Sequence, residues 1–150
     1  MPDRARAADS SDRHDRADGG YFAPLAPARY LQITTFNRHG IPVSASAPWV
    51  TYGDRAYFRA RNRSGMAKRL RHAGAVQATP CGVLGFFTYG PPLDATARRL
   101  SGDAAGLAAA RLDSRYPLRR RFAMRRRFAM RLLRRQAVYY ELLPGATAAG

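Results

Sequence analysis

Residues 55–72 read RAYFRARNRSGMAKRLRH, and the change of period inside this stretch decides the fold class. Its first part, 55–60, alternates polar and apolar side chains at the spacing of a half-buried strand. Past residue 61 the period changes. Ser64 is a helix-capping residue, Met66 and Leu70 lie four apart on one helical face, and Gly74 stops the helix after about His72. A short helix therefore crosses between sets of strands.

Working outward, residues 29–36 (RYLQITTF) are rich in β-branched and aromatic side chains and end at the polar turn Asn37-Arg38-His39-Gly40. The run 41–52 (IPVSASAPWVTY) reaches Gly53-Asp54, so it forms a hairpin with 55–60. Beyond the helix, 75–81 (AVQATPC), 84–89 (LGFFTY) and 93–100 (LDATARRL) are strand candidates separated by Gly82 and by Gly90-Pro91-Pro92. Ser101-Gly102-Asp103 opens a helix to about Ser114, residues 116–135 read as another, and 137–143 (AVYYELL) as a closing strand. The fold class is β-rich α+β, with the strands forming a closed or nearly closed barrel.

A chain of 150 residues, 46% of them hydrophobic, has room for one domain with a modest core. Residues 1–20 hold five Asp, four Arg and His14 with almost nothing apolar to bury, and read as a disordered leader to a single domain over 21–150. No apolar run approaches the roughly 18–20 residues that span a bilayer, and the N-terminus lacks an apolar signal core. The single cysteine, Cys81, excludes an internal disulfide framework and a Cys-rich metal site. A reducing cytoplasm is the expected compartment.

Of 26 basic residues, set against 10 acidic ones, Lys68 is the one lysine, a bias that points to a GC-rich, actinobacterial-type genome. The resulting charge of +16 predicts attraction to polyanions: nucleic acid, anionic lipid, or a phosphorylated or polycarboxylate cofactor. Eleven Arg and one Asp fall between Arg111 and Arg135, around a duplicated RRRFAM at 119–124 and 125–130. Six residues turn a helix by about 600°, so Phe122 and Phe128 cannot share a face. With one copy removed, Leu118, Phe122 and Leu132 form an apolar stripe, which makes the segment a docking helix carrying a slippage insertion and an Arg-rich outer face. Nucleic-acid or membrane contact through this tail is the competing use, and no aromatic-interleaved motif supports it.

The chain has no G-x-G-x-x-G, P-loop, G-x-S-x-G or H-E-x-x-H motif. His14, His39 and His72 have no carboxylate cluster beside them, so no metal site is expected, and Asp54, Asp94, Asp103, Asp113 and Glu141 are scattered. Chemistry is therefore expected to come from a borrowed cofactor. The stretch 59–69 is the place for its anionic group. There a strand end meets a helix start, and Arg59, Arg61, Asn62, Ser64, Lys68 and Arg69 surround free amides. Pro48 and Trp49 stand near the end of the second strand, where a planar ring can rest or where Trp49 can pack into the core.

Read in order, TTF-x-x-x-G-x-P-V (34–43), AYFR followed by SG-x-x-KRLR (56–71), TPC-x-x-x-G (79–85), DATARRL (94–100) and a YYEL-P ending resemble one family. The chain looks like the pyridoxamine 5′-phosphate oxidase-like F420-dependent oxidoreductases. The resemblance implies an FMN-binding-like split β-barrel, with a short crossover helix and C-terminal helices. It also implies a homodimer holding coenzyme F420, a deazaflavin with a phosphate and a polyglutamate tail, at the subunit interface. Hydride transfer to or from an unidentified small conjugated substrate follows from it, with FMN as the alternative cofactor. Carried onto this chain, it gives Arg59, Arg61, Asn62, Ser64, Lys68 and Arg69 to the phosphate and sets Pro48 and Trp49 beside the ring. A side-chain acid is optional in that chemistry. Two departures are Met66, where relatives often have Lys, and A-P-W-V at 47–50, where they have P-V-W-F.

Overall fold

In a computed structural model that describes residues 20–82, 85, 87–116 and 136–145, tight turns set the first three strands. Asn37 Oδ1 accepts from the backbone N–H groups of His39 and Ile41, each at 2.9 Å, and the chain reverses between β1 (Tyr30–Phe36) and β2 (Pro42–Tyr52). Gly53, at φ +63°, reverses it again into β3 (Arg55–Arg61), a conformation that side chains rarely adopt. Helix α1 (Gly65–His72) then crosses to β4 (Ala75–Cys81), its N-terminus capped by Ser64 Oγ, which accepts from the Ala67 N–H at 3.2 Å. Strand β5 (Leu93–Arg99), helix α2 (Gly102–Arg115) and strand β6 (Ala137–Pro144) follow.

The strands close in the order β1-β2-β3-β6-β5-β4, each antiparallel to its neighbours, with β4 pairing back onto β1. This is a β-rich α+β split barrel. Alternate residues point inward: Leu31 and Ile33 from β1, Trp49 from β2, Phe58 from β3, Tyr140 and Leu142 from β6. The Phe58 and Tyr140 rings stack with centroids 5.0 Å apart. A 3-10 turn, Gly20–Leu25, adds Phe22 and Leu25 to the same core. On the outside, α2 lays Ala108, Ala109 and Leu112 against Tyr139, with Val50 and Tyr57 at the margin. Tyr116 ends that helix, and its hydroxyl accepts from the Trp49 amide at 3.1 Å and donates to the Arg29 carbonyl.

Glu141 is 1% exposed on the outer face of β6, a costly place for a carboxylate. It is held there by Arg55, whose Nη1 lies 2.7 Å from Oε1, and by Arg98 on Oε2. Cys81 is free and buried, and burial pushes its thiol up, which leaves little reactive thiolate.

Burial likewise holds the phenols of Tyr116 and Tyr140 above the ordinary value of 10.0. A phenol harder to ionise in the folded than in the unfolded chain contributes stability that is complete below the unfolded value and lost as pH rises through the folded one. Urea midpoints are therefore expected to stay level up to about pH 9 and to fall above about pH 10, in step with phenolate absorbance. A midpoint unchanged across that window would sink the assignment.

One expectation meets a different outcome: of residues 84–89, the described ones, Gly85 and Phe87–Tyr89, make no strand of the barrel. They give a single bridge, Cys81 to Thr88, and the Gly82 N–H donates to the Phe87 carbonyl at 2.9 Å. Gly85 sits at φ +75°, outside the extended region, and the barrel is already complete without this segment. Gly20, the last residue of the expected leader, opens the 3-10 turn. Residues 1–19, and the tail helix at 117–135 with its duplication, lie outside the described residues. No described helix is long and apolar enough to cross a membrane.

Candidate functional site

One seam of the closed barrel is only partly laddered. The β2–β3 ladder runs only from Trp49↔Phe58 to Tyr52↔Arg55. Residues 42–48 of β2 pair with β1 alone, and residues 59–61 of β3 pair with β6 alone. The strands part, and the first turn of α1 stands at the opening. A cleft of about 450 Å³ results, walled by Ser44, Ser46 and Pro48 on one side and by Arg59, Arg61, Ser64, Gly65 and Arg69 on the other.

Three arginines thus line the cleft together with one helix start, where geometry leaves the Gly65 and Met66 amides without intrahelical partners. The Ser64 hydroxyl is already engaged, accepting from Ala67 and donating to the Arg61 carbonyl at 2.7 Å, so it braces the turn. Arg69 is the most constrained cation. Its Nε donates at 2.6 Å to Oγ1 of Thr35, which is fully buried and passes its own hydrogen to the Val43 carbonyl at 3.3 Å. Its guanidinium then lies across Gly65, where an added Cβ would stand 2.7 Å from Nη1. Gly65→Ala should therefore leave thermal stability unchanged or slightly raised, since alanine favours helix, while weakening anion binding about fivefold by displacing the guanidinium. A calorimetric titration showing wild-type affinity would refute this role for Gly65.

Beside the cleft, Asn62 donates its N–H to the Gln136 carbonyl at 2.6 Å, and its buried Oδ1 has no partner among the described residues. A buried acceptor left over at a cleft fits a ligand hydroxyl or N–H.

The structure brings together Pro48, Arg59, Arg61, Ser64 and Arg69 from the expected set, with Asn62 at the border. Arg59 is shared, since its Nη1 lies 3.8 Å from Asp113 of α2. Two expected residues go elsewhere. Lys68 points from the other side of α1 into a different depression, because residues one apart on a helix face different ways. Trp49 occupies an inward position of β2, fully buried, with its indole N–H on the Ala28 carbonyl at 2.9 Å, so its ring does not border the cleft. Sequence reasoning missed Thr35, Gly65, Ser44, Ser46 and Gln136. The small residues of 43–47 (VSASA) carried a signal for the two serines, since such a strand buries little on either face.

Fold and cleft together define a split β-barrel protein with an arginine-lined opening of about 450 Å³. No family model matches the chain, and no curated protein does. Solved structures do. The heme storage protein HutZ from Vibrio cholerae is similar at 16% identity, with TM-score 0.61 over 80% of this chain and 84% of that one. An F420 reductase is similar at 17% identity and TM-score 0.52, over 85% and 94% of the two chains. A candidate pyridoxamine 5′-phosphate oxidase from Listeria innocua gives 10% identity and TM-score 0.54 over 82% and 89%. At these identities the likeness is one of fold.

Proposed function

We propose that the chain binds a phosphate-bearing deazaflavin, coenzyme F420, in the cleft and transfers a hydride between it and a small conjugated organic substrate, working as a cytoplasmic homodimer. The observation that carries this reading is the convergence of Arg59, Arg61 and Arg69 on the first turn of α1, at the seam between β2 and β3. Charge-assisted bonds and helix amides suit a phosphate ester. Pro48 and the small side chains of β2 leave a low wall for a planar ring, and the Asn62 Oδ1 is available to a cofactor hydroxyl. The bound ring supplies the hydride chemistry. The protein's part is to neutralise the phosphate, hold the ring at the seam and keep an approach open for substrate. No carboxylate lines the cleft among the described residues, so water protonates the product. Ile41 and Val43, exposed at 55% and 38% beside the seam, support burial against a second copy.

FMN, with the same kind of phosphate, is the second reading. Titration of the purified protein with F420, FMN and hemin, followed by fluorescence or absorbance at low and high salt, separates the possibilities. Saturable micromolar binding of F420 supports the proposal, and a preference for FMN moves the protein to the flavin branch. Binding of hemin alone makes it a heme carrier like HutZ. If none binds, the Arg-rich tail becomes the functional part, acting on nucleic acid or membrane.

A further inference from the structure

Across α1 from the cleft, a second set of cations meets. Arg38, from the turn between β1 and β2, lines a depression of about 400 Å³ together with Lys68, Arg69 and Arg71 of the helix. His39 and His72 complete its wall, and among the described residues no Asp or Glu lines it. The Asn37 Oδ1 is consumed by two backbone N–H groups, so that side chain has only its amide hydrogens left to offer. Among the described residues, the ion pairs of Arg55, Arg59 and Arg98 involve none of Arg38, Lys68 or Arg71.

Basic residues in the last turn of α1 are accounted for in part by the negative end of a helix dipole. That does not account for Arg38, which comes from a different element and adds positive charge where it is already concentrated. Convergence of like charges costs free energy in the unliganded fold, and an oxyanion of high charge would relieve it. We propose that this depression, which shares only Arg69 with the cleft at the seam, is a second anion site that takes a small multivalent oxyanion. It stands whether or not the chain binds a flavin.

The test uses the full chain and inorganic pyrophosphate at constant ionic strength, with imidazole nitrogen NMR as a local readout. The chain has three histidines, and His14, in the N-terminal segment, serves as the internal control. The expected result is a saturable shift of the His39 and His72 signals with His14 unmoved. Substituting Arg38→Ser and Arg71→Ser together, both exposed and outside the first cleft, is expected to raise the Kd about tenfold, the loss of roughly one charge-assisted bond. Silence of both imidazoles, a parallel shift of His14, or wild-type affinity in the double variant each overturns the proposal.

Discussion

Trp49→Ala is expected to cost about 3–5 kcal/mol of folding stability, a large share of the roughly 5–15 kcal/mol that holds a domain of this kind. The indole is fully buried in the barrel core, its N–H is bonded to the Ala28 carbonyl, and the Arg115 guanidinium stands 5.1 Å from its ring centre. Trp49→Phe removes the bond but keeps a ring. The Ala28 carbonyl retains the Arg115 Nη2 at 2.7 Å, so the loss shrinks to about 1–2 kcal/mol. Urea denaturation of the two variants measures both costs. Flavin or deazaflavin affinity in Trp49→Phe should equal that of the parent protein. A stable Trp49→Phe protein that no longer binds cofactor would return the indole to the ring site.

The second large effect is on binding. Arg69→Ala is expected to raise the Kd for F420 or FMN by about 10- to 100-fold, since a charge-assisted bond to phosphate contributes roughly 1.5–3 kcal/mol. Thr35→Val should raise it about fivefold by freeing the guanidinium from its anchor rather than deleting it. Lys68→Ala, on the other side of α1, should change it less than about twofold, because a screened charge at a distance contributes little. Fluorescence titration of the three variants ranks them. A Lys68→Ala protein as impaired as Arg69→Ala would mean that the phosphate lies elsewhere.

That ranking also shows where the sequence ran out. The period change at residues 55–72 and the turn residues Asn37 and Gly53 are local signals. Strands β1 to β3 and the Ser64-capped helix were legible because short-range geometry determines them. The stretch 84–89 reads as a strand because Phe86, Phe87 and Tyr89 favour extended backbone, yet its described residues, Gly85 and Phe87–Tyr89, join no strand of the barrel, since pairing needs a free edge and six other strands had already used theirs. The arginines of the cleft were legible as a charge cluster around a helix start. Which of them share a cavity was not. Lys68 and Arg69 are adjacent in sequence and both line the depression across α1, yet Arg69 alone also reaches the cleft, and its anchor is a buried threonine 34 residues away. Trp49 carried two readings, and only the inward register of β2, set by its pairing with β1, separates them.

The placement of β6 between β3 and β5 has a consequence for biosynthesis. As the chain leaves the ribosome, β1 to β5 are all available before the segment Ala137–Pro144 emerges. Until then the edges of β3 and β5 lack their common neighbour, and the nascent protein exposes two open templates for association with other chains. The pairing Tyr57↔Glu141 joins residues separated by more than half of the chain, so barrel closure is a late, non-local event of high contact order. Glu141 arrives with this last strand, and Arg55 and Arg98, emerged earlier on the two flanking strands, receive its carboxylate as the circle shuts.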